Sequence, residues 1–265
     1  MDVLYCTTKV VIVLISERIS CPSFTRTKNH MSLTKEGELF YQKANRLLDT
    51  INQTASELYD LGRQITPIRI GIPPLLSTIF FPDMLIAFQK DHPSIPVELL
   101  EYGSIRAANL VCEDVLDLAL VNMNFFEIEK LNSYEILSDR IVFCVSCEHP
   151  LAKEKEISME MLKKENLIMY NTDSVLNTTL YSRFEGIGAK PNVILHASQL
   201  YTIENFIAQN LGGAFLYSSL LKNLPGTVGI PITPAITQEI GLVWKKGKYI
   251  NDSVEKFITF TKRFR

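Results

Sequence analysis

Four short stretches carry side chains suited to binding: residues 73–78 (Pro-Pro-Leu-Leu-Ser-Thr), Gly103-Ser104, residues 171–174 (Asn-Thr-Asp-Ser) and Ala197-Ser198. Each stands where strand character gives way to helical spacing. A helix start leaves main-chain N–H groups without partners and carries the positive end of the helix dipole, so such turns favour anions. Ser, Thr and Asn also cap helices in the ordinary way, and any one turn needs no ligand to explain it. Convergence of all four on one cleft is the arrangement that would bind.

The other chemically suggestive groups lead nowhere similar. Cys144-Val-Ser-Cys147-Glu-His149 looks at first like a metal or redox group. Residues 142–145 read as a strand, along which odd separations point to opposite faces, so the two thiols would not converge. A single CxxC also falls short of the four ligands zinc takes, and neither a metal nor any other cofactor is expected. Of His30, His92, His149 and His196, two directly precede proline and read as turn punctuation. The pairs Glu113-Asp114 and Glu127/Glu129 lie in segments that look solvated. GxSxG, HExxH, kinase signatures and phosphate loops are missing from the sequence, so an enzyme is not expected.

The chain has 265 residues, 46% of them hydrophobic and 21% charged, which is a globular composition long enough for more than one domain. Lys+Arg 27 against Asp+Glu 29 gives a net charge of -2, so any nucleic acid would have to be met by a local patch. Five cysteines without a disulfide-scaffold spacing fit a reducing compartment, and a cytoplasmic location is expected. The apolar run from Val10 to Ile15 is shorter than the roughly 18 residues a spanning helix needs, and Glu17-Arg18-Ile19-Ser20 is a poor cleavage site for a secretory leader. No membrane partner is expected.

Residues 34–61 contain no proline and predict one long helix. Phe40, Ala44, Leu47, Ile51, Thr54, Leu58 and Leu61 alternate spacings of four and three, the pattern of a two-helix dimer seam with one polar slot. A helix lying on its own domain would use the same stripe. From residue 68 onward strands and helices alternate: strands at 68–72, 97–101, 116–121, 141–145, 167–170, 193–196 and 214–217, with helices between them and a last one at 252–264. Repeated βα units imply parallel sheets covered by helices, and two sheets are expected.

Taken in order, several segments resemble the LysR-type transcriptional regulators: FTRTKNHMSLTKEGELF, GIPPLLSTIFFPDMLIAFQKDHPSI, VELLEYGS, LDLAL, DRIVFCVSCEHPLA, LIMYNTDSVLN and GAKPNVILHASQLYTIENFIAQNLGGAFLY. The resemblance implies an α/β fold: a two-lobed, periplasmic-binding-protein-like (type 2) effector domain preceded by a long linker helix. It divides the chain into the wing of a winged helix-turn-helix (1–33), a linker and dimerisation helix (34–65) and an effector domain (66–265). Within the last, lobe I would comprise 66–137 and 247–265, and lobe II 138–246. It also implies partners: a small organic anion, DNA, and further copies of the chain in a homodimer or homotetramer.

Ser104 matches the family's hydroxyl after the second strand, while Pro73, Pro74 and Leu75 stand where relatives often carry hydroxyls, with Ser77 and Thr78 following closely. The resemblance adds Asn171, Thr172 and Ser174 on the other lobe, and Ser198 and Thr202 at the next helix start. Arg26 and Lys28 are the wing's candidate phosphate contacts, and Phe40, Leu47, Ile51 and Leu58 the dimer contacts. In residues 1–23 the β-branched run departs from the helical pair the family carries there, so the DNA-binding head is expected to be incomplete. Rival expectations are a stand-alone solute-binding protein of a transporter, which has no use for a dimer seam, and a small-molecule enzyme on the same scaffold.

Overall fold

The computed structural model describes residues 24–27, 30–62, 65–124, 128–171 and 174–264. The expectations for residues 1–23, for Lys28 and for Thr172 lie outside them. The chain forms two compact units, residues 1–64 and 65–265.

In the first unit β1 (Phe24–Thr27) and β2 (His30–Leu33) pair antiparallel, Phe24 opposite Leu33 and Thr27 opposite His30. Helix α1 (Lys35–Leu61) follows, and Thr34 begins it by accepting the N–H of Gly37 on Oγ1 at 2.9 Å. Glu36 and Glu38 add negative charge where the dipole favours it. Along the predicted seam Phe40 is half-buried, whereas Leu47, Ile51 and Leu58 are 66%, 62% and 62% exposed.

The second unit is built on β3 (Ile68–Ile72), α2 (Phe81–Asp91), β4 (Val97–Glu101), α3 (Ser104–Cys112), β5 (Leu118–Asn122), β6 (Leu131–Ser146), β7 (Ile157–Ser158) and β8 (Asn166–Met169). It continues with α4 (Val175–Gly186), β9 (Asn192–His196), α5 (Leu200–Ala208), β10 (Gly213–Tyr217), β11 (Thr227–Lys245) and α6 (Asp252–Arg263). All five residues of β5 and of β10 are buried, as inner strands covered on both faces must be. The α2 and α6 helices lock together through Phe88 and Phe257, edge to face at 4.8 Å. Asn251 caps α6 by accepting the Val254 N–H on Oδ1 at 2.9 Å.

The two sheets expected from the sequence are one. Among the described residues the strand order is β4-β3-β5-β11-β6-β10-β8-β9, with β7 beside β11. Continuity comes from β6 and β11, which run antiparallel through both halves. At one end Ile240 to Val243 of β11 pair with β5, and at the other Ile141 to Cys144 of β6 pair with β10. The register breaks between Pro231 and Ile236, where β11 passes from one half to the other. Prolines at 231 and 234 are what hid this strand, because a proline removes a ladder donor and is tolerated only at such irregularities.

Candidate functional site

Ser104, Asn171 and Ser198 stand just beyond strands β4, β8 and β9, at the ends where parallel strands of open sheets present ligand sites. The structure brings them together. A cavity of about 270 Å³ is lined by Pro73, Pro74, Leu75 and Leu76 after β3; by the 101–104 turn and Arg106; by Asn122; by Tyr170, Asn171 and the 174–176 helix start; and by Ser198 and Tyr217. All four turns singled out in the sequence therefore meet on one space.

Two helices begin at this cavity with no side-chain cap: α3, whose N-cap is Gly103, and α4, whose N-cap is Ser174. Each start carries the positive end of a helix dipole, which favours an anion. Ser104 is only 4% exposed, and its Oγ accepts the main-chain N–H of Asn122 at 3.0 Å. Among the described lining residues Arg106 is the only cation and Glu101 the only anion. Both are exposed, and the Arg106 guanidinium lies over the Tyr102 ring at 4.8 Å. The 73–76 turn supplies an apolar wall.

The second half's contribution is held by Asn177, a buried residue in the first turn of α4. Its Nδ2 donates to the carbonyls of Tyr170 (2.6 Å) and Asn171 (3.1 Å), and its Oδ1 accepts the Tyr170 N–H at 3.2 Å. These bonds fix the turn after β8 against the helix that follows. Burial pushes the Tyr170 phenol well above its ordinary pKa, with Tyr217 and Cys144 adding to the rise, and its hydroxyl donates to the Phe215 carbonyl. Burial likewise holds Tyr217 at about 12. Both phenols stay neutral through the physiological range.

Three of the predicted residues stand elsewhere. Ser77 Oγ donates to the Pro74 carbonyl at 2.7 Å and to Glu101 Oε1 at 3.1 Å, and Thr78 Oγ1 donates to the Leu75 carbonyl at 2.8 Å. Both hydroxyls close their own turn and do not line the cavity. Thr202 lies within α5, past the turn that does. Asn122, Tyr217, Asn177 and Arg106 were not anticipated. Asn122 had a signal: a polar residue closing a wholly buried strand.

Cys144 is buried in β6, where desolvation raises its thiol pKa to about 12, while Cys147 is exposed beyond the strand's end. Among the described residues no cluster of His, Cys, Asp or Glu is arranged to hold a metal ion, and no helix is long and apolar enough to cross a membrane.

The family model for the LysR substrate binding domain matches residues 62–265. A Bacillus subtilis (strain 168) protein, described as the uncharacterized HTH-type transcriptional regulator YwbI, is 30% identical over 200 residues, which cover 74% of this chain and 66% of that protein. The regulatory domain of Synechocystis PCC6803 CcmR, solved in complex with 2-PG, aligns with a TM-score of 0.68 at 21% identity, covering 74% of this chain and 96% of that one. The effector binding domain of QuiR in complex with shikimate aligns with a TM-score of 0.67 at 19% identity, covering 76% and 97%. At these identities the likeness to the two solved domains is one of fold.

Proposed function

The chain belongs to the LysR-type transcriptional regulators, and from that membership we propose that its cavity senses a small organic anion. The observation that carries this reading is the meeting of four strand-to-helix turns on one space, two of them opening helices without side-chain caps. The N–H groups there, the Ser104, Ser174 and Ser198 hydroxyls and the Asn171 amide would hold a carboxylate, and Pro74 and Leu75 its apolar part. At about 270 Å³ the space lies at the low end for ligand clefts, which suits a metabolite of few atoms. The anion shikimate in the QuiR complex is in keeping with this.

In the same reading the hairpin and α1 belong to a DNA-binding head and linker, with Arg26 and Lys28 as phosphate contacts. Such contacts position a protein on DNA without reading its sequence. The exposed stripe on α1 joins two copies, as a dimer or as half of a tetramer, in the cytoplasm. Regulation rather than catalysis is the role, and the family match gives the transporter alternative no support.

Calorimetry with a panel of small carboxylates tests the site. Charge-assisted hydrogen bonds contribute roughly 1.5 to 3 kcal/mol, and every 1.4 kcal/mol is tenfold, so Ser104→Ala is expected to weaken binding about tenfold or more. Carboxylate binding that ignores the substitution would mean that Ser104 only supports its own turn and that the anion sits elsewhere.

A further inference from the structure

Glu101 closes β4 and lines the cavity, where it is the only carboxylate among the described lining residues. Its hold from the protein is slight. Ser77 Oγ reaches its Oε1 at 3.1 Å, but that hydroxyl has one hydrogen and also meets the Pro74 carbonyl at the shorter distance of 2.7 Å. An ionised carboxylate can accept at about four positions, so among the described residues most of the accepting capacity of Glu101 is unmet. The one cation of the described lining, Arg106, stands in the first turn of α3 with its guanidinium over the Tyr102 ring at 4.8 Å.

This wall is at odds with a plain carboxylate as ligand. The positive start of α3, at Ser104, lies only three residues along the chain from Glu101. An anion drawn there, in a space of about 270 Å³, stands near a second negative charge, and the repulsion between like charges is stronger in a cleft than in open water. A cation on the ligand turns that repulsion into attraction. On the reading of the cavity as an anion site, we propose that the effector is an amino acid, whose carboxylate meets the helix starts and whose ammonium group donates to Glu101. Ser77, which does not line the cavity, then acts as a positioning residue that steadies Glu101 against the 73–76 wall. A diacid reaching for Arg106 with its second carboxylate fits less well, because it would place a third negative charge in the same space.

The test is calorimetry of the full chain with three matched pairs: alanine and propionate, aspartate and succinate, glutamate and glutarate. The members of each pair differ by the amino group alone. The parent is expected to bind at least one amino acid about tenfold or more tightly than its counterpart. Glu101→Gln keeps the shape and removes the charge at an exposed position, and a urea midpoint establishes that the variant folds. It should weaken the amino acid about tenfold or more and, with the repulsion gone, tighten the counterpart. Opposite changes for two ligands of one site are not what a merely structural role of Glu101 would give. If the parent binds a counterpart as tightly as the amino acid, or if Glu101→Gln leaves the amino acid's affinity unchanged, the ammonium contact is overturned. The anion site then stands provided Ser104→Ala still weakens the bound acid. If the parent binds none of the six, both fall.

Discussion

Gly213→Ala is expected to lower the stability of the protein by on the order of 3 kcal/mol or more. A Cβ built on Gly213 would lie 2.2 Å from Cζ of Phe143, 2.7 Å from Cε2 and 2.8 Å from Cε1, so the methyl group would enter the face of the ring. The ring has nowhere to go. Phe143 is fully buried, its strand is paired with Phe215 on one side and Ile230 on the other, and its ring packs on Phe215 at 5.2 Å. Overpacking a close-packed interior typically costs 1–3 kcal/mol, and more where backbone must shift, against a total stability of about 5–15 kcal/mol. Urea denaturation followed by fluorescence measures the loss. Trimming the obstacle should reverse part of it, so the double change Gly213→Ala with Phe143→Leu is expected to be more stable than Gly213→Ala alone. A single variant with the parent's midpoint would show that the packing at this contact gives way far more easily than the distances imply.

The second large effect concerns association. Leu47→Asp together with Ile51→Asp is expected to turn the dimer proposed above into monomer in sedimentation velocity runs at micromolar concentration. Both side chains are exposed in the single chain, so the substitutions leave its own fold untouched. In a two-helix seam they would bury four carboxylates per dimer among leucines, at a cost on the order of several kcal/mol. Leu61, 81% exposed at the end of the same stripe, extends the apolar surface that a partner would cover. Unchanged association would assign the contact to another surface. A monomeric parent would refute the seam outright, whatever the variant does.

How far the sequence was legible depended on whether a signal was local. The β3 strand, Ile-Arg-Ile-Gly-Ile, and the last helix were readable within a residue or two because hydrophobic period and caps are written in the elements themselves. The cavity's four turns were legible for the same reason, since each lies between a strand and a helix. What escaped was set by partners distant in sequence. The β11 strand is kept in place by fifteen paired positions along β6 in spite of Pro231 and Pro234, and no local rule supplies that stabilisation. Ser77 and Thr78 had the right chemistry in the right turn, but each hydroxyl found a carbonyl three residues back. Tyr217 lies in an unbroken apolar run, and nothing in Gly-Ala-Phe-Leu-Tyr announces that the last ring lines the cavity.

The two long strands that unite the halves also set a timetable for synthesis. In the finished molecule β5 is flanked by β3 on one side and by Ile240 to Val243 of β11 on the other. A ribosome releases β5 roughly 120 residues before that second neighbour, which at about 5–20 residues per second is on the order of ten seconds. During that interval the N-terminal half carries its most apolar strand as an open edge, a template for pairing with whatever chain is near. Phe88 likewise waits for Phe257, which comes later still. A nascent chain arrested before residue 240 would keep that edge bare, and the period of greatest risk of aggregation closes only as the last helix is made.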